Sequence, residues 1–259
     1  MPRFAIILAV CLFVMGSRAS GQTKDKDLKA YLAGVTERGR ALYDYDQAAW
    51  HGTDAFFALH PDTSGLTHYV CTKTPKGWMV TFPKWNALHD RLLVAYEAME
   101  SGEPGKFVAH RRDPPWEGPD DLVPVERAIE LALGSFPRAD RPYNSAILPA
   151  PGGSFYVYLY PAQVKDTIWP LGGDVRYTIS ADGKQIIETR QLHKTILDME
   201  SKPEEHAVAG YHVHILSDVP EDTDVLYVLN RKPAMPEYIG AGKHIFVVDT
   251  GGTIAVTKK

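Results

Sequence analysis

Asp182-Gly183 lies between two alternating runs, Asp174-Val175-Arg176-Tyr177-Thr178-Ile179-Ser180 and Gln185-Ile186-Ile187-Glu188-Thr189-Arg190. An Asp-Gly pair between period-two segments is a specific hairpin signal, because the two-residue turns that match strand twist need positive φ. The same grammar recurs along the chain. Residues 67–72 and 77–82 flank a Pro/Gly-containing turn, with Trp78, Val80 and Phe82 on one face. Residues 91–97 and 106–110 read as two more strands, with a helix over 88–100 as the alternative. Further strands are expected at 145–148, 153–160, 243–248 and 252–256. The chain therefore reads as α+β, built mainly from antiparallel sheets with a few helices.

Helical spacing is confined to three stretches. From Leu28 the apolar positions Leu32, Val35, Leu42, Tyr45, Ala49 and Trp50 recur at helical intervals, and Gly34, Gly39 and Gly52 loosen the pattern into two helices or one kinked one. Pro124 opens a second helix, with Val125, Ala128, Ile129, Ala132 and Leu133 as its buried stripe. A short third helix is expected within 220–230. Residues 111–120 hold three prolines, a glycine and five charges without periodicity, which predicts a boundary between two subdomains. The parts are then residues 22–113, a helix plus an antiparallel sheet, and residues 122–259, an α+β domain.

The first 21 residues read differently. Met1-Pro2-Arg3 is a short positive start, Phe4 to Gly16 is an apolar run, and small residues around Ala19 and Ser20 offer a cleavage point. This pattern predicts a secretory signal peptide, and the run is too short to span a bilayer comfortably. The mature chain is expected to be exported, periplasmic or secreted, with no stable membrane span. Processing would leave Cys71 as the sole cysteine, so no internal disulfide is available. A net charge of −4 and the lack of any Lys/Arg block argue against nucleic acid as a partner.

Chemistry concentrates late in the chain. In Gly210-Tyr211-His212-Val213-His214-Ile215-Leu216, strand alternation points Tyr211, Val213 and Ile215 one way and both histidines the other. Two imidazoles about 7 Å apart on one strand face can converge on one metal ion. Asp222 and Asp224, at the expected helix start, offer an oxygen ligand; the competing reading is a pair of half-exposed polar residues on an edge strand. His193, His206 and His244 share the region with His212 and His214. Neutral imidazoles with a carboxylate are ordinary zinc ligands, and a nearby Glu can serve as general base for a zinc-bound water. Glu188, on the hairpin strand before the cluster, is the candidate base by position.

This layout resembles the JAB/MPN (JAMM) metalloprotease-like family over residues 170–256. His212-Val213-His214 resembles that family's strand with two histidine ligands, and Pro220-Glu221-Asp222-Thr223-Asp224 its Pro-Ser-x-x-Asp with a shorter loop. The resemblance implies zinc held by His212, His214 and Asp224, with Asp222 a less favoured third ligand. Ile215 stands where the family has Pro, and Glu221 where it has the Ser that helps hold the oxyanion. A non-catalytic or degenerate domain that acts by binding is the first expectation, and an active zinc-dependent peptidase or isopeptidase the second. A third reading takes Tyr156, Tyr158 and Tyr160, on one strand face, as a carbohydrate- or cell-envelope-binding surface, against their simply covering a sheet. The expected partner is a protein or cell-envelope component.

Overall fold

The computed structural model describes residues 17–137, 140–200 and 207–257. The apolar run of the expected signal peptide lies outside the described residues. A single helix, α1 (Ser17–Phe57), runs along the molecule. Leu32, Val35, Leu42, Tyr45 and Ala49 all fall on its buried face. Of the two expectations, the division into two helices is not found. A Cβ on Gly39 would collide with Val225 and the Asp222 carbonyl, and one on Gly52 with Val80. Both glycines sit where α1 crosses another element, and the close approach offsets the helix propensity lost there, about 1 kcal/mol each.

Among the described residues the strands form three four-stranded sheets and one ribbon. The first sheet joins β1 (Val70–Thr74), β2 (Gly77–Trp85), β3 (Leu92–Glu100) and β4 (Phe107–Glu117) in chain order. Strand, not helix, is thus the outcome at 92–100. After α2 (Leu122–Ser135), the second sheet joins β5 (Tyr143–Pro149), β6 (Phe155–Pro161), β8 (Val175–Ile179) and β9 (Ile186–Gln191). The Asp182-Gly183 hairpin is β8–β9, with Gly183 at φ +74°. Strands β7 (Ile168–Gly172) and β10 (Ile196–Glu200) form the ribbon, and neither was anticipated.

The third sheet follows the order β11 (Gly210–Val213), β12 (Glu237–Ala241), β13 (His244–Val248) and β14 (Ile254–Val256). Its β11–β12 pair is parallel, bridged by α3 (Asp222–Asn230), because a strand that returns in the same direction needs a crossover. All other strand pairs among the described residues are antiparallel.

The Pro-rich stretch behaves otherwise than expected. Strand β4 continues through Pro114 and Pro115, where a central strand would not tolerate them. Two features permit this: β4 is an edge strand, and its register with β3 slips between Val94 and Tyr96. Nor does the hydrophobic core part there. One cluster combines Tyr45, Phe82 and Leu92 with Ile129, Val157 and Ile179 from beyond the stretch. A second combines Leu32 and Val35 with Val225, Ile239, Phe246 and Val248, placing α3 between α1 and the third sheet.

Candidate metal centre

The site lies where the second sheet, the third sheet and α3 meet. His212 is on β11, and His214 follows directly, its backbone N–H still bonded to the Gly240 carbonyl at 2.8 Å. The alternation is as expected, with an inverted polarity: Tyr211, Val213 and Ile215 are 59%, 57% and 71% exposed, whereas both histidines are buried. Asp224 comes from the first turn of α3. Its Oδ2 accepts the Glu221 backbone N–H at 2.7 Å, which orients the carboxylate and satisfies a free donor at the helix start.

The fourth member is His193, just beyond β9. Its Nε2 lies 2.9 Å from His214 Nε2 and 3.2 Å from Asp224 Oδ1. His212 Nε2 lies 3.1 Å from both His214 Nε2 and Asp224 Oδ1. His214 Nε2 lies 3.3 Å from that same oxygen. One donor atom from each of the four residues falls within 4.8 Å of all the others. Such a group can hold a metal ion.

The outward nitrogens settle what the inward ones offer. His193 Nδ1 meets Asp174 Oδ1 at 2.8 Å, His212 Nδ1 meets Glu237 Oε1 at 2.9 Å, and His214 Nδ1 meets the Val219 carbonyl at 3.0 Å. A carbonyl or carboxylate oxygen only accepts, so each Nδ1 carries the proton. Each Nε2 of a neutral ring then presents a lone pair to the centre. Gly210 makes room for this arrangement, since a Cβ there would collide with the Glu237 carboxylate. Glu237 is anchored in turn by Arg231 at 2.8 Å.

Charge completes the picture. Burial disfavours protonated His193, but Asp174 and Asp224 outweigh it and raise its pKa well above the usual imidazole value. For His212, burial is outweighed by hydrogen bonds to Asp224 and Glu237, and its pKa rises to about 9. Burial alone would raise the Asp224 pKa, yet the facing imidazoles of His193 and His214 hold it well below the usual carboxylate value. Among the described residues, Glu221 pairs with Arg190, Glu237 with Arg231, and Asp222 with Arg38 and Arg176. Among the described residues, the charged or ionisable partners of Asp174 and Asp224 are all histidines. The site is a buried group of nitrogen and oxygen donors that could hold a cation.

Of the residues singled out from sequence, His212, His214 and Asp224 come together. Asp222 does not join them; it accepts hydrogen bonds from Arg38, Arg176 and the Tyr158 hydroxyl. Glu188 lies on β9, exposed, beside the Thr178 hydroxyl at 3.3 Å, and is not part of the cluster. Tyr158 and Tyr160 are buried, with hydroxyls donating to Asp222 and Asp46, so they present no open platform. Sequence reasoning missed His193 as a ligand, Asp174 as its support and Glu237 as the support of His212. Only the local density of histidines hinted at His193.

No protein-family model, curated protein or solved structure matches the chain.

Proposed function

We propose that this protein binds one zinc ion in the His193, His212, His214 and Asp224 site, and that the ion is held rather than used for hydrolysis. The observation that carries the reading is the set of inward donor atoms, five of whose mutual distances run from 2.9 to 3.3 Å. Four ligands about 2.0–2.1 Å from zinc in a tetrahedron stand about 3.3 Å apart. Imidazole with carboxylate also suits zinc better than the hard cations, which prefer all-oxygen sites.

A catalytic zinc keeps three protein ligands and an open position for water, whereas a structural zinc is closed by four. His193 supplies the fourth ligand, and all four residues are at most 9% exposed. Glu188 stands outside the group and offers no base to it. Together with Ile215 and Glu221, this supports the degenerate form of the JAB/MPN-like reading: a domain that keeps metal ligands and acts by binding, in an exported chain. Zinc content of the purified protein tests it. One zinc per chain is expected, falling to near zero in His193→Ala and in His212→Ala. Zinc kept by His193→Ala, together with peptide hydrolysis by the wild type, would favour the three-ligand hydrolase.

A further inference from the structure

A second feature lies outside the metal centre: a cavity of about 780 Å³ between α1, the end of β6, β7 and α3. None of the four metal ligands lines it. Its size falls within the roughly 300–1,000 Å³ typical of small-molecule sites.

The wall combines two kinds of group. Trp50 from α1 and Trp169 from β7 contribute indoles. Trp169 is pinned by its Nε1, which donates to the Asn230 carbonyl at 3.1 Å, while Trp50 is 56% exposed and packs flat on His51 with centroids 4.9 Å apart. One face of the Trp50 ring is taken by His51, and the exposed remainder is free to meet a ligand. The polar part is built around the Asp46 carboxylate. Oδ1 accepts the Tyr160 hydroxyl at 2.7 Å and Oδ2 the Asn230 side-chain amide at 3.0 Å, while the Asn230 side-chain carbonyl accepts Gln47 at 2.9 Å. Asn144 also lines the cavity beside Asp46.

Among the described residues Asp46 has no Lys, Arg or His partner. Its charge is held by neutral donors, and an ionised carboxylate retains lone pairs for more of them. Lys165 and Lys232 stand against Asp46, Asp166 and Asp174 around the wall, so no strong field selects an anion or a cation. Flat aromatic surface, a carboxylate and side-chain amides in a nearly balanced field are the groups that recognise a ring with C–H faces and vicinal hydroxyls. From this geometry we infer that the cavity is a binding site for a neutral, hydroxyl-rich ligand of the short-oligosaccharide class, stacked on Trp50 and hydrogen-bonded at Asp46 and Asn144.

The inference does not rest on the zinc reading, although Asp174, the support of His193, also lines the cavity, and one set of samples separates them. The full chain is titrated with maltotriose, cellotriose, xylotriose, mannotriose and N-acetylchitotriose by calorimetry and tryptophan fluorescence, and zinc content is measured on each sample. At least one trisaccharide is expected to bind saturably with a shift in tryptophan emission. Trp50→Ala is expected to weaken that binding about tenfold or more without lowering the melting temperature, because the ring is exposed. Asp46→Asn, which keeps the shape of the side chain, is expected to weaken it as well. Binding of none of the five overturns the proposal, and so does binding unaffected by both substitutions, whatever the zinc content.

Discussion

Asp222 and Asp224 stand two residues apart on the first turn of α3, both fully buried, and the protein treats them in opposite ways. Asp222 is met by Arg176 at 2.7 Å, Arg38 at 2.9 Å and the Tyr158 hydroxyl at 2.8 Å. Its counter-charge is covalently part of the chain and always present. Asp224 is met by three imidazoles whose outer nitrogens are already committed. Its counter-charge must come from solution, as a proton or a metal. A carboxylate buried among arginines is therefore a structural clamp, whereas one buried among histidines is a valence left open. Helix α3 carries both, so the same turn that locks the helix to α1 and the second sheet also presents a ligand to the third.

The comparison can be broken at either end. The largest effect is expected at the clamp: Asp222→Ala leaves Arg176 buried without an anion, a change that costs about 3–5 kcal/mol. Urea denaturation should show that loss, while the folded fraction still carries zinc. At the open valence, the loss should follow the metal. Zinc present at about a thousand times its dissociation constant stabilises by about 4 kcal/mol. For a chain of this size, chelation should then lower the melting temperature by about 10 °C. Asp224→Ala should melt near the chelated wild type and ignore added zinc.

Protons sharpen the contrast, because in the metal-free protein they fill the place of the cation. The folded His212 pKa is about 9 against an ordinary value near 6.5. A raised pKa contributes stability that is fully present below about pH 6.5 and is lost as pH rises through about 9. The metal-free protein should accordingly lose stability across that interval. The zinc-loaded protein should not, since zinc requires the unprotonated Nε2; its affinity should instead weaken on acidification. Chemical denaturation at several pH values, with and without zinc, checks both trends. Parallel curves would show that zinc and protons do not compete for these atoms.

Smaller effects belong to the groups that aim the ligands. Glu237→Gln weakens the acceptor behind His212 and should reduce zinc affinity about 10- to 100-fold, measured against a competing chelator. Glu188→Gln should leave zinc content and melting temperature unchanged.

How much of this was legible in the chain follows from the range over which each feature is specified. The β8–β9 hairpin was readable because Asp182-Gly183 and the alternation on either side act locally. His212 and His214 were readable as a pair because strand parity alone puts them on one side. Asp224 was readable through its order after them. His193 and Asp174 were not, because the second sheet brings them to the third only through packing around α3. Glu237 was hidden by the parallel β11–β12 pairing, since a crossover puts residues that are neighbours across a ladder far apart in sequence. The glycines of α1 misled for a related reason. A helix that propensity weakens at Gly39 and Gly52 is, in the fold, a helix that two neighbours approach closely.

The all-nitrogen-and-oxygen character of the ligand set has a consequence for durability. Many closed zinc sites use thiolates, which bind tightly but are the atoms that peroxide and disulfide exchange attack. Here Cys71 is buried in the other hydrophobic cluster, and burial raises its pKa and disfavours the reactive thiolate. An oxidant reaching this centre meets three imidazoles and a carboxylate, none of which it readily converts. Retention of an ion bound there would thereby be uncoupled from the redox state of the surroundings and left to pH and metal supply alone.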